Sequence, residues 1–262
     1  MENIISNPLQ LRELFHLEFL RWFNRKIEAK YYALKGGSNM RFFFKSVRYS
    51  EDMDVDAIKV DVHTLRDVVM DILKNRNLQD SLRPFGIVRV VPPDISRAKQ
   101  PRTTQRFKVH LFISSGEELF SKIEFSRRGF KGNIVVQPVS DVILRVYKMP
   151  PLLVPHYDIT STALQKIGAI ASRSVIQARD IFDLFILSSQ CGDAELKKGD
   201  LSIEILDKAY ENVFEISFER FRDTVVSYLS LEDRTIYNSS SVWDEVKLKV
   251  ASFIDILRKK YG

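Results

Sequence analysis

Cysteine is nearly absent. Cys191 stands alone in 262 residues, which excludes an internal disulfide framework and a cysteine-ligated zinc site. Histidine is scarce as well, and His16, His63, His110 and His156 are too scattered to suggest a metal cluster. No apolar run approaches the length of a membrane span, and the opening MENIISNPLQ lacks the basic start and apolar core of a secretory signal. Internal repeats and low-complexity tracts are missing too. The expected setting is a reducing cytoplasm with no membrane partner.

What is present is a hydrophobic fraction of 45%, enough for one generous domain or two modest ones. Lys and Arg number 40 against 34 Asp and Glu, a formal net charge of +6. That excess points weakly toward an anionic partner such as nucleic acid.

Apolar residues recur at helical spacing from Pro8 to about Tyr32, with Asn7 and Pro8 placed as cap and first turn. DMDVDAIKVD reads as a strand leading into the helix VHTLRDVVMDILKNRNL. FGIVRVVPP, TTQRFKVHLFISS and LFSKIEFSRRG alternate as strands of a mixed sheet, and GNIVVQPVS adds an edge. Beyond MPPLLVP the periods become helical through to RKKYG. The fold class is therefore α+β, with a mixed β-sheet flanked by helices in residues 1–150 and a helical domain in 151–262. Phe42, Phe43 and Phe44 read as core.

Four acids, Glu51, Asp52, Asp54 and Asp56, crowd just after Gly36, Gly37 and Ser38. Side chains alternate faces along a strand, so Asp52, Asp54 and Asp56 point one way. Such repulsion is relieved by solvent or by a hard divalent cation, which favours paired carboxylates beside phosphate oxygens. Gly36 and Gly37 admit backbone angles that let a phosphate approach main-chain N–H groups, and Ser38 adds a hydroxyl donor. A Gly-Gly pair is also a common helix C-cap, and an isolated Asp-x-Asp a solvated turn. Together the two stretches describe a phosphate cradle followed by a metal-binding strand, the arrangement needed to hold a metal-bound triphosphate.

KGGSNMRFFFKSVRYSEDMDVD resembles the signature of the AbiEii/AbiGii toxin nucleotidyltransferases, a branch of the DNA polymerase β-like superfamily. Lys35, Gly36, Gly37, Ser38, Arg48, Tyr49, Ser50, Asp52 and Asp54 carry the match. A second block, ALQKIGAIASRSVIQARDIFDLF, supplies Lys166, Arg173, Arg179, Asp180, Asp183 and Leu184 in the family's order. It departs in having TSTALQ where acids often precede the Lys, and in a slightly long Lys166-to-Asp180 spacing. An unbroken helix would part those two by about 21 Å at 1.5 Å per residue. Either a turn near Ser172–Ser174 folds them together, or only one serves the site.

The resemblance implies a nucleotidyltransferase fold whose C-terminal helical domain completes the cleft. It implies transfer of a nucleoside monophosphate from an NTP to an acceptor, an RNA or tRNA 3′ end, by the toxin of a toxin–antitoxin pair with a cognate antitoxin protein. Gly36, Gly37, Ser38 and Lys166 would bind nucleotide. Asp52 and Asp54 would hold Mg²⁺ or Mn²⁺ and carry the chemistry, with Lys166 and Asp183 as further catalytic candidates. For the third carboxylate the choice is Glu124, which shares a strand face with Lys122 and Ser126, although an exposed structural Glu fits the pattern equally. Arg97, Lys99, Arg102, Arg106, Arg127 and Arg128 cluster beside predicted strands and are candidate RNA contacts. Competing readings are a protein or small-molecule acceptor, or a non-catalytic module that binds nucleotide or a partner.

Overall fold

The computed structural model describes residues 7–94, 103–191 and 201–261. Arg97, Lys99 and Arg102 lie outside the described residues. The chain divides into two compact units: one formed by Met1–Phe42 with Tyr49–Tyr157, the other by Phe43–Arg48 with Asp158–Gly262.

In the first unit, α1 (Pro8–Phe23) starts where the Asn7 side chain accepts from Leu9 N at 2.9 Å, with Pro8 in the first turn. Nearly all its faces are buried, including Glu13 and Glu18. These carboxylates are tolerated because each is paired: Glu13 accepts from Arg41 at 2.6 Å and Tyr147 at 2.7 Å, and Glu18 from Arg21 at 2.6 Å. Then follow β1 (Tyr32–Lys35), α2 (Gly36–Phe43), β2 (Asp52–Ala57), α3 (Val62–Lys74), α4 (Arg76–Leu82), β3 (Ile87–Val91), β4 (Thr104–Ile113), β5 (Glu118–Ser126), β6 (Ile134–Pro138), α5 (Asp141–Val146) and β7 (Leu153–Tyr157).

The strands among the described residues make one seven-stranded mixed sheet in the order β3-β4-β5-β2-β1-β7-β6. β2 runs parallel to β5 and antiparallel to β1, and β1 runs parallel to β7. On one side of the sheet, Phe23 meets Tyr32 edge-on at 5.0 Å and Phe125 at 5.3 Å between centroids.

The α+β class with a mixed sheet is what the alternating and helical periods predict. Two strands differ from expectation. β1 is a four-residue piece at the end of a stretch whose spacing reads as helix, and β7 carries Pro155, whose missing N–H makes such a run read as a loop. The Gly-Gly corner also turns out to join a strand to a helix rather than to cap one. Phe42 and Phe44 are buried, while Phe43 is half-buried.

The second unit contains α6 (Ile159–Ser172), α7 (Ala178–Ser188), α8 (Ile203–Asn212), α9 (Phe218–Thr224), α10 (Leu231–Tyr237) and α11 (Ser240–Tyr261). Asp158 caps α6 by accepting from Ser161 N at 2.8 Å. Its core centres on the fully buried Trp243, stacked on Phe221 at 4.2 Å, with the indole N–H donating to the Ile216 carbonyl at 2.9 Å. None of the described helices is long and apolar enough to cross a membrane.

Candidate active site

β1 delivers the chain to Gly36, which adopts φ +68° and opens α2. That angle lies in the left-handed region where a Cβ is strained. Space gives a second reason for glycine, since an added Cβ would sit 2.8 Å from Asp54 Oδ2. The first backbone amides of α2 therefore start beside a carboxylate of β2, at a helix end suited to anions. Gly36→Ala is expected to cost about 1–2 kcal/mol through the backbone alone, and to push Asp54 out of place. A melting temperature equal to that of the unchanged protein would contradict this account.

The register of the sheet sets charges in rows. Lys35, Asp54, Glu124 and Arg106 stand opposite one another across β1, β2, β5 and β4. Asp52, Lys122 and Lys108 form the neighbouring row across β2, β5 and β4. Lys122 Nζ lies 3.0 Å from Asp52 Oδ2 and 3.8 Å from Glu124 Oε2, while Arg106 Nε donates to Glu124 Oε2 at 2.7 Å. Burial opposes the charge on Lys122, but the Asp52 hydrogen bond and the surrounding carboxylates outweigh it and raise its pKa. Asp54 is half-buried. Burial pushes its carboxyl up, Glu124 and Asp52 add to the shift, and Lys122 and Lys35 oppose it.

Asp56 belongs to a different arrangement. It is buried, takes Lys35 Nζ at 2.5 Å and accepts from the Tyr157 hydroxyl at 2.6 Å. Its charge is thus spoken for within the fold.

The strand carrying Asp52 is anchored through its backbone. The Ser38 and Ser50 hydroxyls both donate to the Asp52 carbonyl, at 3.2 and 2.7 Å. Ser38 is buried, and its side chain ties α2 to β2. One residue back, the Ser121 hydroxyl donates to the Glu51 carbonyl at 2.8 Å and accepts from His16 Nε2 at 2.7 Å. Burial drives the His16 pKa down to about 4, with Asp52 opposing and Arg12 assisting, so the ring is neutral.

Among the described residues no three His, Cys, Asp or Glu groups are arranged as a ready-made metal cage. The donor chemistry still fits a hard divalent ion at Asp52 and Asp54: two carboxylates two residues apart on one strand face, one of them lifted in pKa, already draw an ammonium to Asp52.

In the second unit, α6 ends at Ser172 and α7 begins at Ala178. The turn between them brings Lys166 Nζ to 2.9 Å from Asp180 Oδ1 and 2.5 Å from Asp183 Oδ2. Asp183 is fully buried and also takes Arg48 Nη2, 3.2 Å from each carboxylate oxygen; Arg173 reaches Asp180 at 3.0 Å. Burial works against ionisation of Lys166, yet Asp183 and Asp180 overcome it and raise its pKa. Burial likewise opposes Asp180, and Lys166 with Arg173 holds it below the usual carboxylate range. The i,i+4 spacing of Arg179 and Asp183 suggests a surface pair, but Asp183 faces inward to Lys166 and Arg48 instead.

Of the remaining basic candidates, Arg106 joins the carboxylate face, Arg128 is exposed, and the half-buried Arg127 donates its backbone N–H to Thr103 at 2.9 Å. Lys122 was not singled out by sequence, although its alternation with Glu124 puts both on one strand face. Arg48 lies in the matched motif, but nothing in its local spacing reveals Asp183 as its partner, 135 positions away.

The sequence model of the family described as nucleotidyl transferase AbiEii toxin, type IV toxin–antitoxin system, matches residues 18–236. Among solved structures, the nucleotidyltransferase toxin MenT4 of Mycobacterium tuberculosis H37Rv superposes with a TM-score of 0.61 at 16% identity, over 95% of this chain and 84% of that one. JHP933 of Helicobacter pylori superposes with a TM-score of 0.55 at 18% identity, over 98% and 94%. No curated protein matches the sequence.

Proposed function

From the premise that the chain belongs to the AbiEii nucleotidyltransferase toxin family, we propose that it moves a nucleoside monophosphate from an NTP to the 3′ hydroxyl of an RNA, with tRNA as the acceptor class, using Mg²⁺ or Mn²⁺. The type IV toxin–antitoxin description of the family implies an antitoxin partner and a nucleotide substrate. The observation that carries the proposal is the packing of the Asp54 carboxylate against Gly36, where the backbone amides of α2 begin.

Asp52 and Asp54 would hold the divalent ion, with Glu124 as third carboxylate. Such an ion, when bound, neutralises charge on the phosphates and lowers the pKa of an attacking hydroxyl. The amides opening α2 at Gly36 and Gly37 orient the triphosphate, and a carboxylate of the face accepts the proton of the acceptor hydroxyl. That oxygen attacks the α-phosphorus, the bond to the bridging oxygen breaks, and pyrophosphate departs with its electron pair. Lys166 and Asp183 stay in the proposal as catalytic candidates of the second unit. Arg106, Arg127 and Arg128 are the described residues proposed to meet RNA, and their contribution should weaken as salt rises.

The test is incubation with total RNA, divalent ion and each labelled NTP in turn, beside an Asp52→Ala control. Label in RNA that disappears with chelator and in the control supports the reading. Label appearing only in protein or small molecules moves the acceptor, and no label with any nucleotide overturns the proposal.

A further inference from the structure

We propose that Lys122 is an exchangeable counter-cation, paired with Asp52 and Glu124 in the metal-free protein and transferred to the triphosphate when metal and nucleotide bind together. The inference rests on the metal-dependent reading above. Three observations carry it. First, Asp52 is engaged twice by the same residue: Oδ1 accepts from Lys122 N at 3.1 Å and Oδ2 pairs with Nζ at 3.0 Å. Second, the parallel pairing of β2 with β5 sets Lys122 directly opposite Asp52, so the side chain belongs to the same face of the sheet. Third, Glu124 does not need Lys122, because Arg106 approaches it at 2.7 Å against 3.8 Å for Lys122.

A dication at Asp52 and Asp54 would stand within a few ångströms of this ammonium. Like charges at that separation repel strongly in a partly desolvated site. The flexible stem of lysine allows the ammonium to swing away while its backbone N–H keeps Asp52 Oδ1 in place. The anion arriving with the metal is the triphosphate, a good acceptor for a lysine point charge. Metal alone must therefore displace Lys122 with only Glu124, already held by Arg106, to receive it, whereas metal with NTP supplies a new partner. Metal and nucleotide binding become mutually reinforcing, and the coupling passes through one side chain.

The experiment is Mn²⁺ titration, followed by electron paramagnetic resonance or calorimetry, with and without a non-hydrolysable NTP analogue, on the unchanged protein, Lys122→Met and Lys122→Arg. Lys122→Met should bind Mn²⁺ alone about tenfold more tightly, and the factor by which the analogue tightens Mn²⁺ binding should fall toward one. Lys122→Arg should restore weak binding of metal alone. If Lys122→Met melts early, Lys122→Gln serves the same comparison. An unchanged Mn²⁺ affinity in the neutral variants, with Asp52→Ala still weakening binding, overturns this inference and leaves the proposed function intact. Absence of Mn²⁺ binding in every protein, even with the analogue, overturns both.

Discussion

Asp54→Asn is expected to reduce nucleotide transfer by about a thousandfold while raising the melting temperature of the metal-free protein at neutral pH. The substitution keeps the shape that packs against Gly36 and deletes only the charge. Transfer suffers because, on the proposed reading, a cation held by Asp52 and Asp54, with Glu124 as third carboxylate, would lose one of its anionic partners, and with it part of the means to offset charge developing on the phosphates. Stability moves the other way. Burial first, then Glu124 and Asp52, raises the Asp54 carboxyl above its unfolded value, against the pull of Lys122 and Lys35.

A carboxyl raised on folding favours the folded state only while it is protonated. That advantage is complete below the unfolded pKa and is lost as pH rises through the folded one. Asparagine never carries the charge. The gap in melting temperature between the variant and the unchanged protein should therefore open as pH rises through the folded pKa and close in acid. Thermal melts across pH in chelator, beside incorporation of labelled NTP, check both halves. Transfer within tenfold of the unchanged protein would remove Asp54 from the reaction.

Asp183→Ala is expected to destabilise the protein by about 3–5 kcal/mol in chemical denaturation. Asp183 is completely buried, and its loss removes a buried counter-charge from both Lys166, at 2.5 Å, and Arg48, at 3.2 Å. Asp180 retains its hold on Lys166 at 2.9 Å, while Arg48 loses the carboxylate that meets it 3.2 Å from each oxygen. Removing two charges together should be milder than removing one. Lys166→Met with Asp183→Leu is accordingly expected to recover part of the loss. A cost below about 1 kcal/mol for Asp183→Ala would mean that water reaches the cluster and that its charges are not buried as described. Activity alone cannot separate the roles of Asp183, because a residue that holds the unit together and one that acts in transfer both abolish label when removed.

Much of this was legible because local chemistry and short spacing encode it. The alternation of Asp52, Met53, Asp54 and Val55 gives a strand with its acids on one face, and the alternation of Lys122, Ile123 and Glu124 likewise gives a strand, whose register sets Glu124 opposite Asp54. Legibility fails where a contact depends on distant pairing. Lys122 reads as an ordinary strand lysine until β2 is laid beside β5. His16 reads as one of four scattered histidines until α1 carries it to Ser121, 105 positions away. β1 and β7 are four and five residues long, too short for their alternation to compete with flanking helical spacing and a proline. The spacing of Lys166 and Asp180 left two alternatives open, and the break after Ser172 brings the two into contact.

The excursion of the chain between α2 and β2 bears on how such a protein could be recombined. Gly36 and Asp54 belong to one unit, yet the chain joining them passes through Phe43–Arg48, which belongs to the other. No single cut yields two complete modules. A gene fragment ending at Tyr157 takes Arg48 with it and leaves Asp183 behind in the remainder. Exchange of the helical unit between relatives therefore requires grafting a hexapeptide into the chain between Gly36 and Asp54.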